Sequence, residues 1–161
     1  GPATDTITSL GHLEGKIVKI LADGEVLDEQ RVVSGQISLA TQAFNVRVGL
    51  GYDSKLTPMR LDITTQGGTT HGSIKRSHEL VVSFLDTAGA KYGATDTTLF
   101  DIDFEEVGLK NTSKVEGLFT GDVKVHLDSG FDIEDSIIIS QSDPLPCTVR
   151  AIISRTEKVG R

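Results

Sequence analysis

Lys16-Ile17-Val18-Lys19-Ile20-Leu21-Ala22-Asp23-Gly24-Glu25-Val26-Leu27 is the stretch on which the fold turns. In an extended chain, Ile17 and Lys19 face one side and Val18 and Ile20 the other. Residues 16–21 therefore predict a strand with one buried face. Asp23-Gly24 sits between apolar runs, where a tight turn needs positive φ that glycine tolerates. Residues 25–33 return as the partner strand. Ser34-Gly35 makes a second turn, and residues 36–39 a short third strand. Residues 44–50 place Phe44, Val46, Val48 and Leu50 on one face, with Asn45, Arg47 and Gly49 opposite. That period of two is a strand with one buried side. The four strands predict a compact meander that forms a small barrel or half-barrel.

The same chemistry continues down the chain. Residues 51–57 are rich in turn formers, and Pro58 suits a strand's first position. Residues 60–64 alternate weakly through Leu61 and Ile63, and residues 66–72, with Gly67-Gly68, read as an exposed loop. Residues 73–85 form the longest element, a strand polar on one face at first and apolar on both faces later. Its apolar positions do not recur at i, i+3 and i+4, so a helix is disfavoured. Ala88-Gly89-Ala90 and Tyr92-Gly93-Ala94 read as turns. Residues 98–104, 118–127, 136–140 and 148–154 read as further strands. Ile137-Ile138-Ile139 marks a central one, and Val149, Ala151 and Ile153 share a face in the last. Asp143-Pro144-Leu145-Pro146 cannot continue a sheet. Turn signals recur about every 8–15 residues. The expected fold is all-β: short antiparallel strands, with a small barrel-like meander followed by a jelly-roll-like β-sandwich. The expected units are residues 1–12 as tag remnant and lead-in, 13–50 as the meander, 51–157 as the sandwich, and 158–161 as a tail. Gly1-Pro2-Ala3 reads as the scar of a cleaved tag, so the chain is expected to be part of something longer.

Composition narrows the function classes. The 161 residues carry 16 basic and 23 acidic side chains, a net charge of -7. Such a surface repels phosphate backbones, which argues against general nucleic-acid binding. No apolar stretch approaches the roughly 20 residues of a membrane helix, so no membrane anchor is expected. The single cysteine, Cys147, cannot form an internal disulfide. It reads as a small buried hydrophobe. His12, His71, His78 and His126 are scattered without zinc-ligand spacing. His78 reads as a satisfied sheet residue.

Catalytic patterns are weak. Neither phosphate-cradling glycine motif occurs, and Gly49-Leu50-Gly51 reads as turn chemistry. No G-x-S-x-G elbow is present. Asp101, Asp103, Glu105 and Glu106 form an acidic cluster. Carboxylates two apart on a strand share a face and could hold calcium or work as an acid/base pair. The competing reading is a solvated strand edge, whose charge blocks edge-to-edge aggregation. These readings favour a binding or assembly role, with no catalytic residue, cofactor or metal site expected.

Several strings, taken together in order, resemble the tail nozzle (tail tubular) proteins of tailed bacteriophages. They begin with Gly11-His12-Leu13-Glu14-Gly15-Lys16, Leu21-Ala22-Asp23-Gly24, Val33-Ser34-Gly35 and Val48-Gly49-Leu50-Gly51-Tyr52. They continue with Gly72-Ser73-Ile74-Lys75-Arg76, Gly89-Ala90-Lys91-Tyr92-Gly93, Leu118-Phe119-Thr120-Gly121-Asp122 and Gly130-Phe131. They end with Gln141-Ser142-Asp143-Pro144-Leu145-Pro146 and Val149-Arg150-Ala151-Ile152-Ile153. The family usually carries Pro where Gly51 stands, and Trp or Tyr where Phe131 stands.

The resemblance implies a C-terminal region of a larger virion protein in the phage tail. It implies ring-forming subunits that line a DNA exit channel, with other copies of the parent protein as partners. Neighbouring tail proteins (adaptor, fibres or needle) are the other implied partners, and DNA would pass without specific binding. It implies structural rather than catalytic roles for the quoted residues, with Phe119 and Phe131 as packing anchors. The alternative function is a receptor- or carbohydrate-binding β-sandwich on the virion surface. A virion depolymerase is the enzymatic alternative, with Asp101 and Asp103 as its candidates.

Overall fold

A computed structural model describes residues 1–60, 62, 64–65, 68–104 and 117–158. No α-helix occurs among the described residues, and every strand pairing is antiparallel. The chain begins with β1 (Thr4–Ile7), a 3-10 turn (Gly11–Leu13), β2 (Ile17–Ala22), β3 (Glu25–Arg31), β4 (Ile37–Ala43) and β5 (Val46–Gly49). Asp23 and Gly24 have φ of 46° and 87°. Positive φ at both central residues makes the two-residue turn that the β2–β3 twist requires. Val18 and Ile20 are fully buried, as the alternation predicts, while Ile17 is exposed.

Two features of this first unit differ from the sequence reading. The lead-in contributes structure: β1 pairs with β4, and Leu10 is buried in the same core as Val18, Ile20, Val32 and Ile37. The strands are also not joined as a simple meander. Their order is β3-β2-β5, while β4 turns away to pair with β1. In β5, only Val46 and Val48 pack on that core, and Phe44 and Leu50 are exposed. Leu50 lies beyond the end of β5, and Phe44 is drawn out by a bend at Phe44-Asn45. The Asp23 carboxylate accepts the Phe44 and Asn45 amides at 2.9 and 2.7 Å, which draws them out of the alternation.

The remaining strands are β6 (Ser54–Leu56), β7 (Thr64–Thr65), β8 (Gly68–Thr69), β9 (Lys75–Thr87), β10 (Lys91–Thr95), β11 (Thr98–Asp101), β12 (Phe119–His126), β13 (Ile138–Gln141) and β14 (Val149–Lys158). β7 and β8 form a small hairpin. The others form two sheets, ordered β11-β10-β13-β6 and β12-β9-β14. A second core joins the two sheets through Leu80, Val82, Phe84, Val123 and Val125 on one side and Ala90, Ile102 and Ile139 on the other. Phe104 stacks edge-on against Phe84, with centroids 5.4 Å apart, and lies 5.3 Å from Phe119. The sandwich reading thus describes the observed arrangement of sheets.

Several local expectations change. β6 lies inside the stretch read as turn-rich, where it gains β13 as a partner. Residues 58–60 form no strand, and Leu61 and Ile63 fall outside the described residues. Tyr92-Gly93-Ala94 is strand, not turn. A Cβ on Gly93 would fall against the Thr98 carbonyl oxygen, so glycine serves close backbone approach there. In β14, Val149 pairs with Phe84 but Ala151 pairs with Ser83. That bulge flips the alternation, so Val149 and Ile152 pack inward while Ala151 and Ile153 face solvent. Phe119 is buried as expected of an anchor. Phe131 is 50% exposed, with the Arg76 guanidinium 5.9 Å from its ring centroid.

Candidate functional site

The outer face of β2 and β5 carries Lys19, Leu21, Arg47 and Gly49, because the inner face is spent on the first core. That outer face meets the chain that crosses from β13 to β14, residues 142–148. The crossing is stiff. Asp143 and Leu145 close a tight turn, with the Leu145 amide 2.7 Å from the Asp143 carbonyl, and prolines flank Leu145. It is tied to the sandwich at both ends. Gln141 donates to the Gly89 carbonyl at 2.7 Å, and the Ala88 amide donates to the Pro146 carbonyl at 2.9 Å. It is tied to the first unit by the Lys19 ammonium, which donates to the Ser142 carbonyl at 2.5 Å.

Between these walls lies an open pocket of about 470 Å³. Leu21, Val48, Leu50, Pro144, Leu145 and Pro146 supply apolar lining, with Tyr52, Arg47 and Cys147 among the polar groups. Its size falls within the usual range for ligand clefts. Burial pushes the Cys147 thiol above its ordinary value. Thiolate is the reactive form, so Cys147 should be alkylated by iodoacetamide at neutral pH several-fold more slowly in the folded chain than after denaturation. Equal rates would mean that the thiol is not held in this wall.

Other residues of the quoted strings serve turns and caps. The Glu14 carboxylate accepts the Ser34 and Gly35 amides at 3.0 and 2.6 Å, pinning the 3-10 turn to the β3–β4 connection. Gly11 and His12 form that turn with Leu13, and the Gly15 amide donates to the Val32 carbonyl at 3.0 Å. Thr120 and Asp86 exchange hydrogen bonds at 3.0 and 3.2 Å beside the bulge preceding Gly121. Asp122 is exposed on β12, and Gly130 is an exposed loop residue beside Phe131.

At the opposite end of β9 a polar cluster surrounds Lys75, whose side chain is almost wholly buried. Its ammonium donates to Asp62 Oδ1 at 3.1 Å. Arg60 Nε donates to Asp62 Oδ2 at 2.9 Å, and His71 Nδ1 lies 3.2 Å from the same oxygen. The Lys75 hydrogen bond, then those of Arg60 and His71, hold the Asp62 carboxyl far below its ordinary value of 3.8, against an opposing desolvation effect. A depressed carboxyl stabilises the fold above its unfolded value and loses that contribution as pH falls below it. The stability gap between wild type and Asp62→Asn should therefore be full above pH 3.8 and shrink in more acidic solution. Urea midpoints from about pH 5 to about pH 2 measure it; a gap constant across that range would refute the pairing.

Two members of the acidic cluster, Asp101 and Asp103, lie among the described residues. Asp101 is exposed on edge strand β11 and pairs across to Lys91 at 3.2 Å. Asp103 is exposed, and Glu105 and Glu106 lie outside the described residues. No group of three metal-ligating side chains occurs among the described residues, nor a helix long and apolar enough to cross a membrane. His78 departs from expectation, since its Nδ1 is buried without a hydrogen-bond partner among the described residues. Sequence reasoning missed the pocket because its walls lie roughly 90–130 residues apart in the chain. It missed Arg60, Asp62 and Lys75 because their pairing depends on how the chain before β9 folds back. No protein-family model and no curated protein matches the chain.

Proposed function

We propose that the chain is an assembly domain of a tail nozzle-type virion protein, built to dock against neighbours in the tail tube rather than to catalyse a reaction. The resemblance of the quoted strings supplies the family. The observation that carries an assembly role is the exposed apolar surface of residues 44–59. Phe44, Leu50, Tyr52 and Met59 are 73, 57, 79 and 93% exposed within that short stretch, with Leu56 also exposed. Large apolar side chains left this exposed within one short stretch are the mark of a covered face. The net charge of -7 suits a channel through which DNA slides without phosphate contacts.

Negative-stain microscopy of the longer parent protein tests this reading. Rings support it. A monomeric parent that does not assemble overturns it. A receptor- or carbohydrate-binding module is the second reading, and the open pocket with Tyr52 at its edge favours it. Binding to a glycan array, lost on Tyr52→Ala, would bring that reading forward.

A further inference from the structure

We propose that the pocket beside Tyr52 receives a loop of a second copy of this chain, the loop that carries Phe131 and Ile133. This rests on the ring-assembly reading and specifies which surfaces meet. The receiving side is apolar with one uncommitted cation. Leu50 and Leu145 line it, and the Arg47 side chain makes no hydrogen bond or ion pair among the described residues. The inserting side is residues 128–134, where Phe131 and Ile133 are 50 and 43% exposed beside the exposed acids Asp128 and Glu134. Two copies of a chain with net charge -7 repel unless acids of one meet cations of the other. Arg47 opposite Glu134 meets that condition. Glu134 is bound only weakly at home, 3.4 Å from Arg60 at an exposed surface.

The loop is held ready for insertion. Ser129 Oγ donates to the Ser77 carbonyl at 2.7 Å, Asp132 exchanges backbone hydrogen bonds with Lys75, and Asp135 accepts from Ser77. A fixed backbone loses little freedom when its apolar tips are buried. Placement then dictates the kind of contact. The loop is tied to Lys75, the first residue of β9, and the pocket wall is tied to Ala88, just beyond its last. The 13 residues between separate the two surfaces by about 40 Å along the strand. One copy cannot satisfy both surfaces, so the contact runs head to tail. Such an interface closes into a ring or continues as a filament.

Sedimentation velocity of this 161-residue chain, from about 1 µM to about 1 mM, tests the contact. The expected result is concentration-dependent association that Arg47→Glu weakens about tenfold or more and that adding Glu134→Arg restores. Phe131→Ser with Ile133→Ser should weaken it as strongly while leaving the circular dichroism spectrum unchanged. Association unaltered by all of these variants overturns the inference and leaves the ring reading intact. Absence of association up to the highest concentration also overturns it, and imaging of the parent protein then decides the ring reading by itself. A glycan that protects Cys147 from alkylation in a monomeric chain assigns the pocket to the receptor reading instead, and likewise overturns the inference.

Discussion

Asp135→Ala is expected to destabilise the chain by about 3 kcal/mol, from the loss of two hydrogen bonds to a buried carboxylate. Asp135 is buried, with its Oδ1 2.7 Å from the Ser77 amide and its Oδ2 2.6 Å from Ser77 Oγ. Ser77 has one hydroxyl proton and gives it to the carboxylate, so Thr156 Oγ1, 2.9 Å away, donates to Ser77 Oγ. The network therefore links β9, β14 and the loop before β13. Alanine leaves the Ser77 amide buried without an acceptor, and an orphaned buried donor costs more than a neutral hydrogen bond gains. It also keeps the positive φ of 43° at residue 135 while removing the short polar side chain that tolerates it. Asp135→Asn should cost less, because its amide oxygen still accepts one of the two donors. A melting temperature lowered by about 6–12 °C for alanine, and by less for asparagine, is the expected ranking. Equal effects would mean that the one acceptor asparagine retains contributes nothing.

Asp135 also marks where the sequence stops being legible. It lies among the polar residues Asp132, Glu134 and Ser136, and no local pattern distinguishes the buried acid from its neighbours. Its partner is 58 residues earlier. By contrast, Asp23-Gly24 was fully legible, because a two-residue turn is decided by the residues in it. The long β9 was legible because thirteen alternating residues outweigh any single exception. Gly93 was not, since a glycine that allows close backbone approach looks the same in sequence as one that allows a turn. The phase of β14 was lost at a bulge, which inserts one residue without a signature in Val149-Arg150-Ala151. The pocket follows the same logic. The Pro-Leu-Pro stiffness could be read, but the Lys19 ammonium that docks the crossing against β2 comes from 123 residues away.

Phe84→Ala is the largest loss expected from any single truncation named here, about 3–5 kcal/mol. Phe84 is completely buried toward the C-terminal end of β9, and its ring meets Phe104 edge to face at 77°. Phe104 in turn contacts Phe119, so the three rings run from β9 and β12 to the segment that follows β11. Removing the middle of a close-packed interior loses both transfer free energy and the contacts around the resulting cavity. Phe131→Ala supplies the contrast. That ring is half exposed and meets a cation at 5.9 Å, so its loss should cost about 1 kcal/mol or less. The two cores add a spatial prediction. Phe84 belongs to the cluster around β9, β12 and β13, and Ile20 to the separate one around β2, β4 and β5. Amide exchange should then quicken chiefly in β9 and β12 for Phe84→Ala, and chiefly in β2 and β3 for Ile20→Ala. Both variants loosening all of these strands equally would mean that the Lys19 and Pro-Leu-Pro junction couples the cores into one cooperative unit. In that case a partner seated in the pocket would stabilise the whole chain rather than the two walls it touches.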